Sequence, residues 1–276
     1  MTDSAHVPVL VVNAFTNTLF GGNPAAVVET SKPLDDTTMQ SIAEQHNLSE
    51  TAFLVNKGVD HFHLRWFTPT KEVPLCGHAT LASAYALDYL GHWRGEHLTF
   101  DTASGPLYVT RDGDRYRIEF PAVFMDEVET PDNVAAALGV PVVRSFQPSN
   151  GAWQMVCELE DEATLKVCSP DFSALTMATD LGVSITALGS DVDYVARFFI
   201  PQLGINEDPV TGSAHCQLVP FWAERLSQTT LRARQLSARS GELSGSLEGD
   251  RVVLVGQCRL FSEGRIFLPS LVLDPR

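Results

Sequence analysis

Two short stretches carry residue types that could do chemistry, and they read as copies of one pattern. The first is Arg65-Trp66-Phe67-Thr68-Pro69, followed by Pro74-Leu75-Cys76-Gly77-His78-Ala79. The second is Arg197-Phe198-Phe199-Ile200-Pro201, followed by Pro209-Val210-Thr211-Gly212-Ser213-Ala214. Each reads as an apolar strand, a tight loop and a helix start. A helix start presents N–H groups with no intrahelical partner and the positive end of the helix dipole. Two such starts facing one small space would suit a carboxylate or a developing oxyanion. Gly77 and Gly212 could instead ease tight turns into buried helices, but the duplication favours a shared site.

The polar residues near these loops are the next candidates. Asp208 and His215 bracket the second loop, with Glu207 beside Asp208. An acidic residue before a helix is also good capping chemistry. His78 and His215 fall in the first turn of apolar helices, where a hydrogen-bonded core histidine is the plainer reading. His61 and His63 share a strand face at a spacing that suits a metal. No third ligand is evident, so no metal is expected. Glu50 lies outside both copies, in Ser49-Glu50-Thr51-Ala52-Phe53-Leu54-Val55. Apolar surroundings raise a carboxyl pKa towards the range useful for proton shuttling. On the residues alone, an exposed Glu at a loop–strand junction is the simpler account.

The elements that must position these groups follow from the pattern. Val7 to Phe15 reads as a strand, Gly21-Gly22-Asn23-Pro24 as a turn, and Ala25 to Val28 as the returning strand of a hairpin. Asp35 to Leu48 has helical spacing at Met39, Ile42, Ala43 and His46, with Asp35 or Asp36 as cap. His61 to Phe67 alternates as a half-buried strand. His78 to Leu90 and Ser213 to Leu226 are apolar nearly all round, as interior helices are. Leu98 to Phe120 holds three strands. Thr130-Pro131 predicts a cap and a proline at the first helical position, opening a helix to Leu138. Trp153 to Leu159 reads as a strand, Asp171 to Leu181 as a helix, and Val183–Leu188 and Asp193–Ile200 as strands. Four β-type runs close the chain, near 231–239, 243–247, 251–255 and 266–273. Strands wrapped around one apolar helix in each half predict an α+β fold of two related halves, 1–121 and 122–260, with 261–276 returning to the first.

The bulk numbers narrow the function class. The 276 residues are 44% hydrophobic and 19% charged, as in a folded globular protein. A net charge of −15 argues against nucleic acid and against an anionic membrane surface. The five Cys are widely spaced without a C-x-x-C, so neither a disulfide framework nor a zinc cluster is expected. No signal-like or membrane-spanning run appears, which predicts a cytoplasmic protein. There is no G-x-G-x-x-G opening a helix after a strand and no P-loop, so no nucleotide cofactor is supported.

Taken together, Gly22-Asn23-Pro24-Ala25-Ala26-Val27-Val28, Asn47-Leu48-Ser49-Glu50-Thr51-Ala52-Phe53, Arg65-Trp66-Phe67-Thr68-Pro69 with Cys76-Gly77-His78-Ala79-Thr80, and Glu207-Asp208-Pro209-Val210-Thr211-Gly212-Ser213-Ala214-His215 resemble the phenazine-biosynthesis-like (PhzF-like) isomerase family. The matches run in order over nearly the whole chain. The resemblance implies the diaminopimelate-epimerase-like fold, two pseudo-symmetric halves with the site in the cleft between them. It also implies a homodimer with a biosynthetic role, and neither metal nor organic cofactor. Glu50 matches the family's acid/base Glu. His78, Asp208 and Ser213 match positions that line the site and assist binding or proton handling. Gly77 and Gly212 match the backbone around the substrate. Related epimerases and racemases use two opposing Cys. Here Cys76 stands in the first position and Thr211 in the second, which breaks a symmetric two-thiol mechanism.

The expected activity is therefore isomerisation by proton transfer on a small carboxylate-bearing substrate, with Glu50 as general acid/base. Two alternatives stand beside it. One is a one-thiol racemase, epimerase or dehydratase of an amino or imino acid using Cys76. The other is a ligand- or partner-binding protein that keeps the fold without turnover.

Overall fold

A computed structural model describes residues 6–149, 151 and 154–268. The chain forms two compact units: one takes the described residues up to Glu119 and from Val255 onward, the other runs Phe120–Leu254.

The first unit begins with β1 (His6–Ala14) and β2 (Asn23–Thr30), then α1 (Asp36–His46), β3 (Glu50–Gly58), β4 (His61–Phe67), β5 (Glu72–Val73), α2 (Gly77–Tyr89), β6 (His97–Thr102), β7 (Gly105–Asp112) and β8 (Arg115–Pro121). The second contains β9 (Met125–Val128), α3 (Asp132–Leu138), β10 (Arg144–Pro148), β11 (Gln154–Glu158), α4 (Glu162–Val167), α5 (Phe172–Ala178), β12 (Gly182–Leu188), β13 (Tyr194–Ile200), β14 (Ile205–Asp208), α6 (Gly212–Leu226), β15 (Thr230–Gln235) and β16 (Gly241–Glu248). A long β17 (Arg251–Phe267) carries the chain from the second unit back into the first.

The internal repeat extends to the hydrogen-bond ladders. In the first unit β2 pairs parallel with β3, β3 antiparallel with β4, β4 antiparallel with β5 and parallel with β6, and β6 antiparallel with β7. In the second, β11, β12, β13, β14, β15 and β16 repeat that series in the same senses. Parallel neighbours need a crossover connection. α1 supplies one between β2 and β3, and α2 lies in the other, between β4 and β6; α4 with α5, and then α6, occupy the same places in the second unit.

The crossover helices within each repeat differ in a way that matters for the site. α2 and α6 are buried on nearly every side, from Ala79 to Leu87 and from Ala214 to Ala223. By contrast α1 buries one face, Met39, Ile42 and Ala43, against Val28, Phe53 and Phe67. A second apolar cluster, including Leu138, Leu165, Leu175, Ile185 and Phe199, packs α3, α4 and α5 on β12 and β13.

α6 contains Pro220, whose ring removes the N–H that would bond Cys216 C=O. That carbonyl is not orphaned: the Val123 N–H donates to it at 3.0 Å.

Several expectations need correction. Pro131 is itself the N-cap of α3, and the Thr130 hydroxyl bonds Ser145 at 2.8 Å instead of capping the helix. The run expected over 251–255 continues as one strand, β17, as far as Phe267, and so takes in the start of the run expected over 266–273. At Gly256 a Cβ would meet the Phe15 ring at 2.4 Å, so glycine is what lets the strand pass that core residue. The helix expected over Asp171–Leu181 ends at Ala178. Trp153, and the final run beyond Leu268, lie outside the described residues. No helix among them is long and apolar enough to cross a membrane.

Candidate active site

Within the first unit, three predicted residues meet. Glu50 opens β3, Cys76 is the N-cap of α2, and His78 is the second residue of that helix. One ligand atom from each lies within 4.8 Å of the others. His78 Nε2 is 3.3 Å from Glu50 Oε2, and Cys76 Sγ is 3.4 Å from His78 Nδ1. His78 is fully buried, and burial lowers its pKa to about 3, so the ring is neutral. The contact with Glu50 is therefore between a carboxylate and an imidazole, not an ion pair.

A fourth residue joins them. Asn23 Nδ2 lies 3.3 Å from His78 Nδ1. Two potential donors, the Asn23 amide and the Cys76 thiol, face that nitrogen, which places the ring proton on Nε2, towards Glu50. Asn23 is fixed by the turn before it. Gly22 has φ +69°, and a Cβ there would meet Ala14 O at 2.3 Å, so only glycine fits the turn that delivers Asn23. Sequence reasoning saw this turn but not its target.

The second unit builds a different set on the equivalent frame. Asp208 ends β14, and Thr211 is the N-cap of α6. The Thr211 hydroxyl donates to Asp208 Oδ2 at 2.6 Å. The buried Gln235 side chain holds the loop between them: its Oε1 accepts from Thr211 N at 2.9 Å, and its Nε2 donates to Asp208 O at 2.8 Å. Ser213, exposed at the start of α6, accepts from Gln154 Nε2 at 2.8 Å, leaving its own proton to donate. Gln154 in turn bonds Gln217. These glutamines carried no signal in the sequence, since neither spacing nor motif marks an isolated Gln.

The helix starts differ in how they are capped. α1, α4 and α5 are each capped by an Asp side chain, Asp35, Asp161 and Asp171. α2 and α6 have no side-chain cap at Cys76 or Thr211. The two glycine-led helices, like α3 at Pro131, have no capping side chain at the N-cap, so their N-terminal N–H groups can face a bound anion. Gly77 and Gly212 are their first residues.

Each loop is approached by the same device. Arg65 makes a two-pronged bond to Glu72, with Nε to Oε1 and Nη2 to Oε2 both at 2.7 Å, and lies over Phe67 at 5.1 Å. Arg197 does the same to Glu207, at 2.8 and 3.0 Å, and lies over Phe199 at 5.0 Å. Glu207 is therefore the partner of Arg197.

His215 is placed in the core. Its Nδ1 is 2.8 Å from Tyr194 Oη, beneath a stack of Tyr194 on Trp222. Burial lowers its pKa to about 4, with Gln235 pulling slightly the other way. His61 Nε2 lies 2.9 Å from Asp101 Oδ2, and no three-ligand set forms around His61 and His63 among the described residues. A cavity of about 450 Å³ lies against α1, lined by Ile42, His46, Ile266 and Leu268 among others; it shares no residue with either set.

Residues 12–264 match the family described as phenazine biosynthesis-like protein, PhzC-PhzF. A Pseudomonas aeruginosa protein named as an uncharacterized isomerase is 46% identical over 93% of this chain and 97% of its own. The crystal structure of a PhzF-family protein from Enterococcus faecalis superposes with a TM-score of 0.91 at 44% identity, covering 96% of this chain and all of that one (100%). A hydroxyproline epimerase from Agrobacterium vitis shares the fold alone, with a TM-score of 0.62 at 12% identity over 99% of this chain and 96% of its own. The fold is thus α+β of the epimerase-like kind, and the chain belongs to the PhzF-like, phenazine biosynthesis-like family of isomerase-related proteins.

Proposed function

We propose that the protein is an isomerase that moves a proton on a small, carboxylate-bearing substrate, with Glu50 as general acid/base. The observation that supports this most is the placement of Glu50: its carboxylate lies 3.3 Å from the Nε2 of a buried, neutral His78, beside the uncapped start of α2.

The steps follow from those groups. Glu50 takes a proton from a substrate carbon. Negative charge then spreads over the adjoining π-system, and helix-start N–H groups stabilise it. Glu50 returns a proton at another carbon, so the double bond shifts and the carboxylate is regenerated. His78, 3.3 Å from Glu50 and uncharged, can support the ionised form by turning its Nε2–H towards the carboxylate. Asp208 and Ser213 take supporting roles in binding and proton handling. Every acid and base in this scheme belongs to the chain, and a cytoplasmic homodimer is the expected form.

A second reading uses Cys76 as the base of a one-thiol racemase, epimerase or dehydratase. Its position at the N-cap of α2, 3.4 Å from His78, favours it, because a helix start promotes thiolate formation. Against it, the imidazole is neutral, and Thr211, bound to Asp208, occupies the equivalent N-cap.

Glu50→Gln tests the first reading. Turnover should fall by ~10²–10⁴-fold, the usual contribution of a positioned acid/base, while calorimetric affinity for the same ligand stays within a few-fold. Small cyclic and amino carboxylic acids are the compounds to screen. Undiminished turnover in Glu50→Gln would sink it.

A further inference from the structure

The structure assigns Gln154 as a positioning residue that makes the Ser213 hydroxyl a one-way donor, so that the start of α6 takes an acceptor oxygen and refuses a donor. This rests on the proposed site and its carboxylate-bearing substrate.

The first observation is the sense of a buried chain of amides. Ser213 and Gln217 lie one turn apart on α6, and the Gln154 side chain reaches both from the start of β11. Gln217 Nε2 donates to Gln154 Oε1, and Gln154 Nε2 donates to Ser213 Oγ at 2.8 Å. Gln154 and Gln217 are 1% and 3% exposed, so water competes poorly for these bonds. An amide can be turned end for end, so the direction needs a physical reason. At the far end of the chain, Gln217 Oε1 has no partner among the described residues. Turning both amides over would put the Gln217 NH₂ there instead and bury two donors. An orphaned buried N–H is rarer than an under-satisfied carbonyl. The chain therefore runs from Gln217 to Ser213. Ser213 accepts from Gln154, and its own proton is left for a ligand.

The second observation is the internal repeat. β3 pairs Thr51 with Phe67 where β12 pairs Val183 with the matching Phe199, so Gly182 stands in the place of Glu50. Across the parallel ladders Ala25 faces Glu50, and Gln154 faces Gly182. In the first unit a carboxylate meets the second residue of the buried helix, His78. In the second unit a neutral amide from the neighbouring strand meets the second residue of the equivalent helix, Ser213. Gly182 supplies no acid or base at that position, and Gln154 supplies a hydrogen-bond direction instead. Ser213 thus adds one more donor to the N–H groups of an uncapped helix start. Carboxylate oxygens fit such a set, and an amidinium group of the same shape does not.

The test is calorimetric titration with benzoate and with benzamidinium, which share a planar shape and differ in hydrogen-bond sense. The wild-type protein should bind benzoate and not benzamidinium. Ser213→Ala should weaken benzoate about tenfold or more, as loss of a bond to a charged group does. Gln154→Met should weaken it about threefold or more in the wild-type background, but less than about twofold on top of Ser213→Ala, because the two residues act as a unit. A Gln154 that only packs the core would cost the same in both backgrounds; that result overturns the proposal, as does tighter binding of benzamidinium. The direction of the bond is also read without a ligand, by neutron diffraction from deuterium-exchanged crystals. A deuterated nitrogen of Gln154 should face Ser213. A bare oxygen there, with the Ser213 deuteron aimed at it, overturns the proposal whether or not benzoate binds. Turnover of Glu50→Gln decides the proton-transfer reading separately, since benzoate binding involves no proton transfer.

Discussion

His78 Nε2 lies 3.3 Å from Glu50 Oε2, and the ring's other nitrogen faces Asn23 at the same distance. The imidazole is thus held between an amide and a carboxylate, with no charge of its own. In that position it orients Glu50 and does not neutralise it. His78→Leu should therefore lower kcat by ~10²-fold, within the range of acid/base catalysis, and leave KM within a few-fold. Steady-state kinetics on the folded variant check this. A loss of stability with kcat intact would mean that His78 is only a core residue.

The duplicated Arg–Glu clamp predicts unequal costs. The Arg65 and Glu72 side chains are 24% and 39% exposed, against 13% and 18% for Arg197 and Glu207. Arg197 also donates to the Cys168 carbonyl at 2.6 Å. An exposed pair contributes ~0–1 kcal/mol, whereas removing one partner of a shielded charged bond costs ~1.5–3 kcal/mol. Arg197→Met should destabilise the protein clearly more than Arg65→Met in urea unfolding. Equal midpoints for the two variants would contradict the burial argument.

Stability should fall with acid through the buried histidines. His215 titrates at about 4 and His78 at about 3 in the folded protein, both below the ordinary value of 6.5 because burial disfavours the charged ring. Above pH 6.5 both states hold these rings neutral. Between pH 6.5 and 4 the unfolded chain binds the extra protons, so stability falls by about 1.4 kcal/mol per pH unit for each ring. His215→Asn, which can still face Tyr194 with a polar group, should remove one proton from that slope. Unfolding free energies measured from pH 7 to pH 4 test it, and an unchanged slope would place the ring in water.

Much of this was legible in the sequence because the relevant signals are local. The strand–loop–helix copies, the capping Asp35 and the apolar circumference of α2 each need only a few adjacent residues to read. Glu50 and His78 were visible as residue types, but their meeting was not, since β3 and α2 come together only in the folded sheet. Asn23, Gln154 and Gln235 were missed for the same reason: a neutral amide has no signature until its partner is in place. β5, a two-residue strand, and β10, which contains Pro148, lack the alternation that marks a strand. The polar stretch from Gly256 to Arg265 interrupts the apolar run and concealed the continuity of β17, where Gly256 accommodates the Phe15 ring.

Turnover of Glu50→Gln and Cys76→Ser, measured side by side on one substrate with product formed in deuterated water, tests the central claim most directly. The account predicts that Glu50→Gln loses both turnover and proton transfer, while Cys76→Ser keeps turnover within about tenfold of the wild-type rate, a loss of no more than about 1.4 kcal/mol in the barrier. The reverse pattern, a crippled Cys76→Ser beside an active Glu50→Gln, would move the chemistry to the thiol and contradict it.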